Sequence, residues 1–397
     1  MHKVCLFTDT LGDLNGVSRF IQDMGALAAK SPHFELQIAT STSKPLPIEP
    51  YIHNLPYRGR IAMPFYQEMD LVWPNKQAIQ AFLERQQPDS VHISTPGPFG
   101  WLAKQVALSM GYPLIGTYHT DFPAYIHDLS GSVWLKKQTN KIMAKFYQPF
   151  EHVFSRSDKY QAIMQKEIHI TKNRISTLKA GTQLTQFHPR HHNPAIWAKF
   201  ALDESRLKVL YVGRINIEKS MPFLLGLWQT LHTQNPELQA DLILVGEGRY
   251  RKLANKMRPF NIHFLGPLRG QTLREVYASS DVFIFPSLTD TLGQVIMEAQ
   301  ASGLGCLVSD VGGPQTLIVN HKTGQILPAN NQQAWLAGLK AILNDQIKQQ
   351  QWSEQARQHC LRYDIEQSFE DFKQQHLSLG AQPPLEPQPI VAPTRSG

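Results

Sequence analysis

The sequence predicts an α/β fold made of two Rossmann-like halves. Short apolar runs alternate with helically spaced segments over residues 3–157. The alternation restarts at residue 208, and "TQLTQFHPRHHNP" at 182–194, which has neither pattern, separates the two series. Alternating strands and helices make parallel sheets wrapped by helices, and such sheets bind ligands outside the carboxyl ends of their strands. A ligand is therefore expected between two facing domains, at the strand ends of each.

"KVCLFTD" at 3–9 is apolar and ends at a turn, as a strand covered on both faces should. "NGVSRFIQDMGALAAK" at 15–30 follows with helical spacing, and "FELQIAT" at 34–40 alternates as a strand. "SVHIST" (90–95), "PLIGTYHTD" (113–121) and "HVFSRS" (152–157) each come after a helix-like segment. The second series runs through the strand "KVLYVGR" (208–214), the helix "PFLLGLWQTL" (222–231), and the strands "ADLILVGEG" (240–248), "NIHFLG" (261–266), "DVFIFPS" (281–287) and "GCLVSD" (305–310). This order suggests a first domain at 1–185 and a second at 186–362. The proline-rich "GAQPPLEPQPIVAPTRSG" at 380–397 has no periodicity and is expected to be disordered.

At 397 residues the chain is long enough for two cores. No apolar run reaches the roughly 18 residues that cross a bilayer. "MHKVCLFTDT" leads straight into a strand, which predicts a chain without a secretory signal. Cys5, Cys306 and Cys360 are far apart and form neither a CxxC nor a Cys/His ligand set, so a reduced, cytoplasmic, metal-free protein is expected. The net charge is +7, and residues 1–180 carry most of the surplus, with 19 Lys+Arg against 14 Asp+Glu. Such a surplus suits phosphorylated substrates, anionic lipid or nucleic acid, and equally a plain solvated surface.

Four stretches carry chemistry. In "DVFIFPSLTDTLGQVIMEAQASGLG" (281–305) a strand turns into a helix through "SLTDT", with Asp290 in the turn and Glu298 on the helix. Asp290 could simply cap that helix and Glu298 could sit on a solvated face. Gly293 is expected just inside the helix, where a glycine costs about 1 kcal/mol. That cost argues for a ligand close to the backbone, with the helix amides and two carboxylates offered to a polyhydroxylated molecule. In "VGRINIEKS" (212–220) Arg214 and Lys219 follow a strand, either as surface cations or as a grip for a diphosphate. "TDTLGDLNGVSRF" (8–20) places Gly12 and Gly16 before a helix, where amides can approach a phosphate, although the spacing is not GxGxxG. "TYHTDFPAYI" (117–126) puts His119 and Asp121 at a strand end; a lone histidine there is more often structural.

The D-x7-E spacing of Asp290 and Glu298 resembles the E-x7-E signature of retaining glycosyltransferases of family 4, group 1, which have the GT-B fold. "TDTLG" and "YHTDFP" resemble the branch with sulfoquinovosyl-diacylglycerol synthase-like enzymes and GDP-mannose-dependent α-mannosyltransferases. The resemblance covers about residues 1–378 and implies a final helix, 363–379, that crosses back to the first domain. It implies that Asp290, Thr291, Leu292 and Gly293 hold the donor sugar, Glu298 the ribose, and Arg214 and Lys219 the β-phosphate. Gly16 would meet the donor phosphate, with Asn15 in place of a second family glycine. Leu265, Gly266 and Pro267 would lie at the base, His119 beside sugar and acceptor, and Asp121 on the acceptor side. Gly305 departs from the proline usual after "SGL" in relatives, and "AGTQLTQF" (180–187) from their "GVD".

This implies retaining transfer of a hexosyl group from a UDP- or GDP-sugar to a hydroxyl of a lipid or glycolipid acceptor. No D-x-D pair is present to carry a nucleotide-bound cation, so a metal-independent reaction without a cofactor is expected. Lys136, Lys137, Lys141 and Lys145 interleave with Trp134, Ile142, Met143, Phe146 and Phe150 within 132–150. Such a helix could pack its apolar side on the core or rest on an anionic membrane, giving a peripheral place on its inner face. A nucleotide-sugar epimerase or a non-catalytic nucleotide-sugar binder on the same fold is the alternative. A nucleic-acid partner is not expected, since basic residues meet aromatics in this one helix only.

Overall fold

The run His2–Phe7 forms the first strand, β1, and its last four side chains are buried. A strand covered on both faces has no wet side, so it reads as a continuous apolar run. In a computed structural model the described residues are 1–13, 16–63, 66–119, 121–156, 158–290 and 292–379. The chain divides into two units, one of residues 1–178 with the segment beginning at Phe369, the other of 179–368. The tail 380–397, Asn15, Thr120 and Thr291 lie outside the described residues.

In the first unit the strands after β1 are β2 (Phe34–Thr40), β3 (Ile52–Asn54), β4 (Tyr57–Met63), β5 (Tyr66–Pro74), β6 (Ser90–Ile93), β7 (Leu114–Tyr118), β8 (His152–Ser155) and β9 (Ile175–Thr177). Seven of them form one sheet in the order β3-β2-β1-β6-β7-β8-β9. Every neighbouring pair in it is parallel. The chain leaves β1 toward one edge and returns to build the other edge from β6. The gap between the ends of β1 and β6 is therefore a switch point, where loops diverge and ligands fit. Asp9 ties that point together: its carboxylate accepts from Thr95 Oγ1 (2.7 Å) and from the amides of Phe99 (2.8 Å) and Gly100 (3.2 Å). The antiparallel pair β4–β5 stands outside the sheet and was not expected from the sequence.

In the second unit β10 (Leu207–Val212), β11 (Ala240–Val245), β12 (Ile262–Gly266), β13 (Val282–Phe285), β14 (Gly305–Ser309) and β15 (Gly324–Leu327) form a six-stranded sheet ordered β12-β11-β10-β13-β14-β15. Its pairs are parallel as well. Here the switch point lies between β10 and β13. Trp197, Trp228, Trp335 and Trp352 are buried in this unit's core.

The units divide at 178/179 and 368/369, where the sequence suggests 185/186 and 362/363. The two connecting segments pair with each other inside the second unit. Thr182 N donates to Tyr363 O (2.8 Å), Ile365 N to Thr182 O (3.2 Å), and Ser368 Oγ to Lys179 O (2.9 Å).

The last helix, Ile365–Leu379, carries the chain back onto the first sheet. Phe369 meets Phe34 at 5.8 Å between ring centroids, and Phe372 meets Phe154 at the same distance. His376, fully buried, shares hydrogen bonds with Ser90 Oγ (3.0 Å) and His92 Nδ1 (3.1 Å), and His92 Nε2 with Thr117 Oγ1 (2.9 Å). Burial, then His152, lowers His92 to about 3; burial, then His92, His2 and His152, holds His376 well below the usual range; burial, then Arg174, lowers His152 to about 4. These imidazoles stay neutral when folded but take protons below about 6.5 when unfolded. Stability is therefore full above that pH and falls as the pH drops below it, by up to about 1.4 kcal/mol per unit for each group until its folded pKa is reached. Thermal midpoints measured from pH 7.5 to 5 should decline, with a shallower slope in His376→Leu. A flat profile, or an unchanged slope in the variant, would contradict this.

Candidate active site

The loop after β10 is held by a second loop packed against it. Ile215 N donates to Glu247 O (2.8 Å), and Arg249 N to Asn216 Oδ1 (2.6 Å). The contact needs Gly246, whose φ is +140° and where a Cβ would stand 1.9 Å from Gly213 O. "VGEG" is therefore a packing motif that fixes the Arg214–Lys219 loop. Gly246 N also donates to Gly266 O (2.9 Å), which fixes the half-buried Leu265 and the exposed Pro267 at the end of β12.

Across the switch point stands the turn after β13. Lys219 Nζ lies 2.6 and 2.7 Å from the two carboxylate oxygens of Asp290, and Lys219 is almost wholly buried. Thr289 Oγ1 donates to Glu218 O (2.9 Å), so a second bond joins the two loops. Arg214 Nη1 sits 3.4 Å from Glu218 Oε1. Asp290 is thus engaged with a cation and does not cap the helix, which begins at Gln294 with no side-chain cap. Gly293 is not inside that helix, as expected from the sequence, but is its N-cap residue, with φ +91°. Glycine adopts that backbone without strain, and a Cβ there would also crowd Ile296 (3.0 Å) and Pro314 (3.3 Å). Leu292 beside it is half-buried.

Glu298 does not occupy a solvated face. It is 7% exposed, and its Oε2 accepts from the hydroxyl of Tyr277 (2.9 Å), itself fully buried. Sequence reasoning missed Tyr277, which sits in "REVYASSD" among other half-apolar helical residues. Only the packing of the helix Gly270–Ala278 beside Gln294–Ala301 brings it to Glu298. Arg214, Lys219 and Asp290 thus cluster at β10 and β13, with Glu298 farther along the helix and Leu265–Pro267 at the end of β12.

In the first unit His119 directly follows β7 and is buried, with Nε2 2.9 Å from Ser94 Oγ. Phe20 meets its ring edge-on at 5.9 Å. Burial, then Arg156 and His92, hold His119 well below the usual histidine range, so near neutral pH it is a neutral hydrogen-bonding group. Asp121 caps the helix Phe122–Ser130: its Oδ1 accepts from Ala124 N and from the Tyr118 hydroxyl, both at 3.1 Å. Gly16, exposed, opens the helix Gly16–Ala28. Sequence reasoning missed Ser94, Phe20 and Arg156.

The helix Val133–Tyr147 reaches the core only through its last turns, where Met143, Phe146 and Tyr147 are buried. Of the apolar residues that could face either the core or a membrane, Trp134 and Ile142 are 66% and 53% exposed. They stand beside the exposed Lys137, Lys141 and Lys145. Among the described residues no helix is long and apolar enough to cross a membrane, and no group of three His, Cys, Asp or Glu residues is placed to hold a metal ion.

Residues 14–186 match the family model described as Glycosyltransferase Family 4, and residues 193–359 the one described as Glycosyl transferases group 1. Sulfoquinovosyl transferase SQD2 of Arabidopsis thaliana is 26% identical over 351 residues, 87% of this chain and 66% of that protein, just under two thirds of its length. A GDP-mannose-dependent alpha-mannosyltransferase of Mycobacterium tuberculosis is 28% identical over 328 residues, 80% of this chain and 81% of that one. The crystal structure of Anabaena HepE in complex with UDP and glucose matches with a TM-score of 0.73 at 12% identity, covering 95% of this chain and 100% of that one, a likeness of fold.

Proposed function

The chain belongs to the family 4, group 1 glycosyltransferases and has the GT-B fold, and we propose that it transfers a hexosyl group, with retention, from a UDP- or GDP-sugar to a hydroxyl of a lipid or glycolipid. One observation carries the donor reading: Lys219 and Asp290 touch at the switch point of the second sheet. In a nucleotide sugar the diphosphate is bonded directly to the sugar. A phosphate-reading cation and a hydroxyl-reading carboxylate must then be immediate neighbours, as these two are.

In the proposed reaction the bond from the anomeric carbon to the phosphate oxygen breaks, and the acceptor oxygen bonds to that carbon on the same face. The acceptor proton passes to the departing phosphate oxygen. Lys219 and Arg214 take up the charge that builds on the diphosphate, without a metal. Asp290, the Gly293 backbone and Leu292 border the sugar, Glu298 holds the ribose diol, and Leu265 to Pro267 border the base. Gly16 offers its amide to a phosphate, as the family likeness implies. His119, neutral, hydrogen-bonds a hydroxyl of sugar or acceptor, and Asp121 orders the acceptor-side loop as a helix cap. The exposed Trp134 and Ile142 with the neighbouring lysines suit an anionic membrane, where a lipid acceptor resides.

The test is turnover in EDTA across UDP-, GDP- and ADP-sugars, with a glycolipid acceptor in anionic phospholipid vesicles. A lengthened glycolipid formed from a UDP- or GDP-sugar is expected, together with salt-sensitive co-sedimentation weakened by Lys141→Glu. Isomerisation of the donor without acceptor, or turnover that returns only with Mg²⁺ or Mn²⁺, would overturn the reading. Co-sedimentation indifferent to salt and to Lys141→Glu would remove the membrane contact.

A further inference from the structure

Arg156 follows β8 directly and is 8% exposed. Its Nη1 is buried without a hydrogen bond, and among the described residues no carboxylate pairs with it. The guanidinium lies 4.1 Å from the centroid of the Phe20 ring. Burial lowers its pKa to about 10, so it remains a cation at neutral pH. A buried cation with no anion destabilises the fold that contains it. A ring face offsets part of that loss, but not what a paired oxyanion would.

Its position gives the charge a use. Ser94 follows β6, His119 follows β7 and Arg156 follows β8, all at the carboxyl edge of one parallel sheet. Phe20 joins them, with Arg156 on its face and His119 at its edge, 5.9 Å between centroids. His119 is neutral and cannot supply the missing countercharge. Among the described residues these neighbours thus add hydrogen bonding and apolar cover but no anion for the charge.

We propose that Arg156 is the anchor of an oxyanion subsite in the first unit, which takes a phosphoryl or sulfonate group of a substrate. The planar guanidinium suits two oxygens of one such group. Identifying the bound group as part of a substrate rests on the transferase reading; the binding itself does not.

The experiment follows the thermal midpoint and affinity of the full chain with inorganic phosphate, glycerol 3-phosphate, UDP and GDP. In the wild type, inorganic phosphate is expected to raise the midpoint, and Lys219→Ala should keep that rise. Arg156→Met should raise the midpoint in phosphate-free buffer, because an unpaired charge is removed. It should also weaken phosphate about tenfold or more, as for a lost charge-assisted bond. Arg156→Lys, which keeps charge but not the fork, should fall between the two. Beyond the loss for inorganic phosphate, a loss for glycerol 3-phosphate but not for UDP and GDP identifies an acceptor phosphoryl group, and the reverse identifies the donor diphosphate. If Arg156 only props Phe20, Arg156→Met lowers the phosphate-free midpoint and leaves every affinity unchanged. That result, or a wild type indifferent to all four probes, overturns the proposal, and turnover can persist in either case.

Discussion

Alanine at Lys219 is expected to lower kcat roughly 10²-fold or more, while the donor KM changes much less. In the proposed reaction the diphosphate gains charge as the glycosidic bond breaks, so a cation beside it would be worth more in the transition state than in the ground state. Lys219 is fixed: it is buried and held at 2.6 and 2.7 Å by both oxygens of Asp290. A free surface lysine would make no such bidentate contact. The variant also strands the Asp290 carboxylate, which costs about 1–3 kcal/mol of stability. Lys219→Ala with Asp290→Asn should restore most of that stability, which assigns the loss of fold to the stranded carboxylate; kcat is read in the single variant, since Asp290 is itself proposed to border the sugar. Arg214→Ala should follow Lys219→Ala in kcat. Arg214→Lys should recover only part, since an ammonium lacks the fork that grips two phosphate oxygens. Steady-state kinetics with circular dichroism decide the matter. Unchanged kcat in both alanine variants would remove the diphosphate role.

The legible parts of this protein are those written within one element. Parallel strands such as β1, β10 and β13 are buried on both faces, so each is an apolar run between turns. The short β9 and β15 have too few residues for a pattern to develop. The β4–β5 pair lacks an Asn-Gly or Asp-Gly turn that would announce it. Arg214, Lys219, Asp290 and Glu298 could be singled out by residue type, strand-end position and family likeness. That Lys219 grips Asp290 could not, because the pairing depends on β10 and β13 lying side by side although β11 and β12 intervene in the chain. Gly293 was misplaced because "SLTDT" offers several capping side chains, whereas the backbone turns by a positive φ and uses none. Trp134 and Ile142 follow helical spacing, but spacing does not show how far a helix extends past its core. A charged residue at a strand end reads as solvent-facing, so nothing in the sequence singles out Arg156, and only its burial reveals it.

Replacing Glu298 should remove donor binding without unfolding the protein, and the structure indicates which replacement shows it cleanly. Glu298→Ala would remove the hydrogen bond that the Tyr277 hydroxyl donates, at a cost of about 1 kcal/mol or more that mixes stability with affinity. Glu298→Gln keeps a carbonyl oxygen for Tyr277 but loses the charge that strengthens bonds to a ribose diol. Two charge-assisted bonds at about 1.5–3 kcal/mol each make the expected loss for UDP or GDP about a hundredfold or more in the alanine variant, and less in the glutamine variant. Tyr277→Phe leaves the carboxylate in place but removes the hydrogen bond it accepts from the Tyr277 hydroxyl. It should weaken the nucleotide by a smaller factor and leave kcat at saturating donor near wild type, as a positioning residue should. The discriminating ligand is a 2′,3′-dideoxynucleotide, which has no diol to hold. Glu298→Gln should bind it as the wild type does, so the two changes are not additive. Calorimetry of the three variants against both nucleotides reads this directly. Near-wild-type affinity in folded Glu298→Ala, or an equal loss for the dideoxynucleotide, would sink the ribose assignment and with it the orientation of the donor along the second sheet.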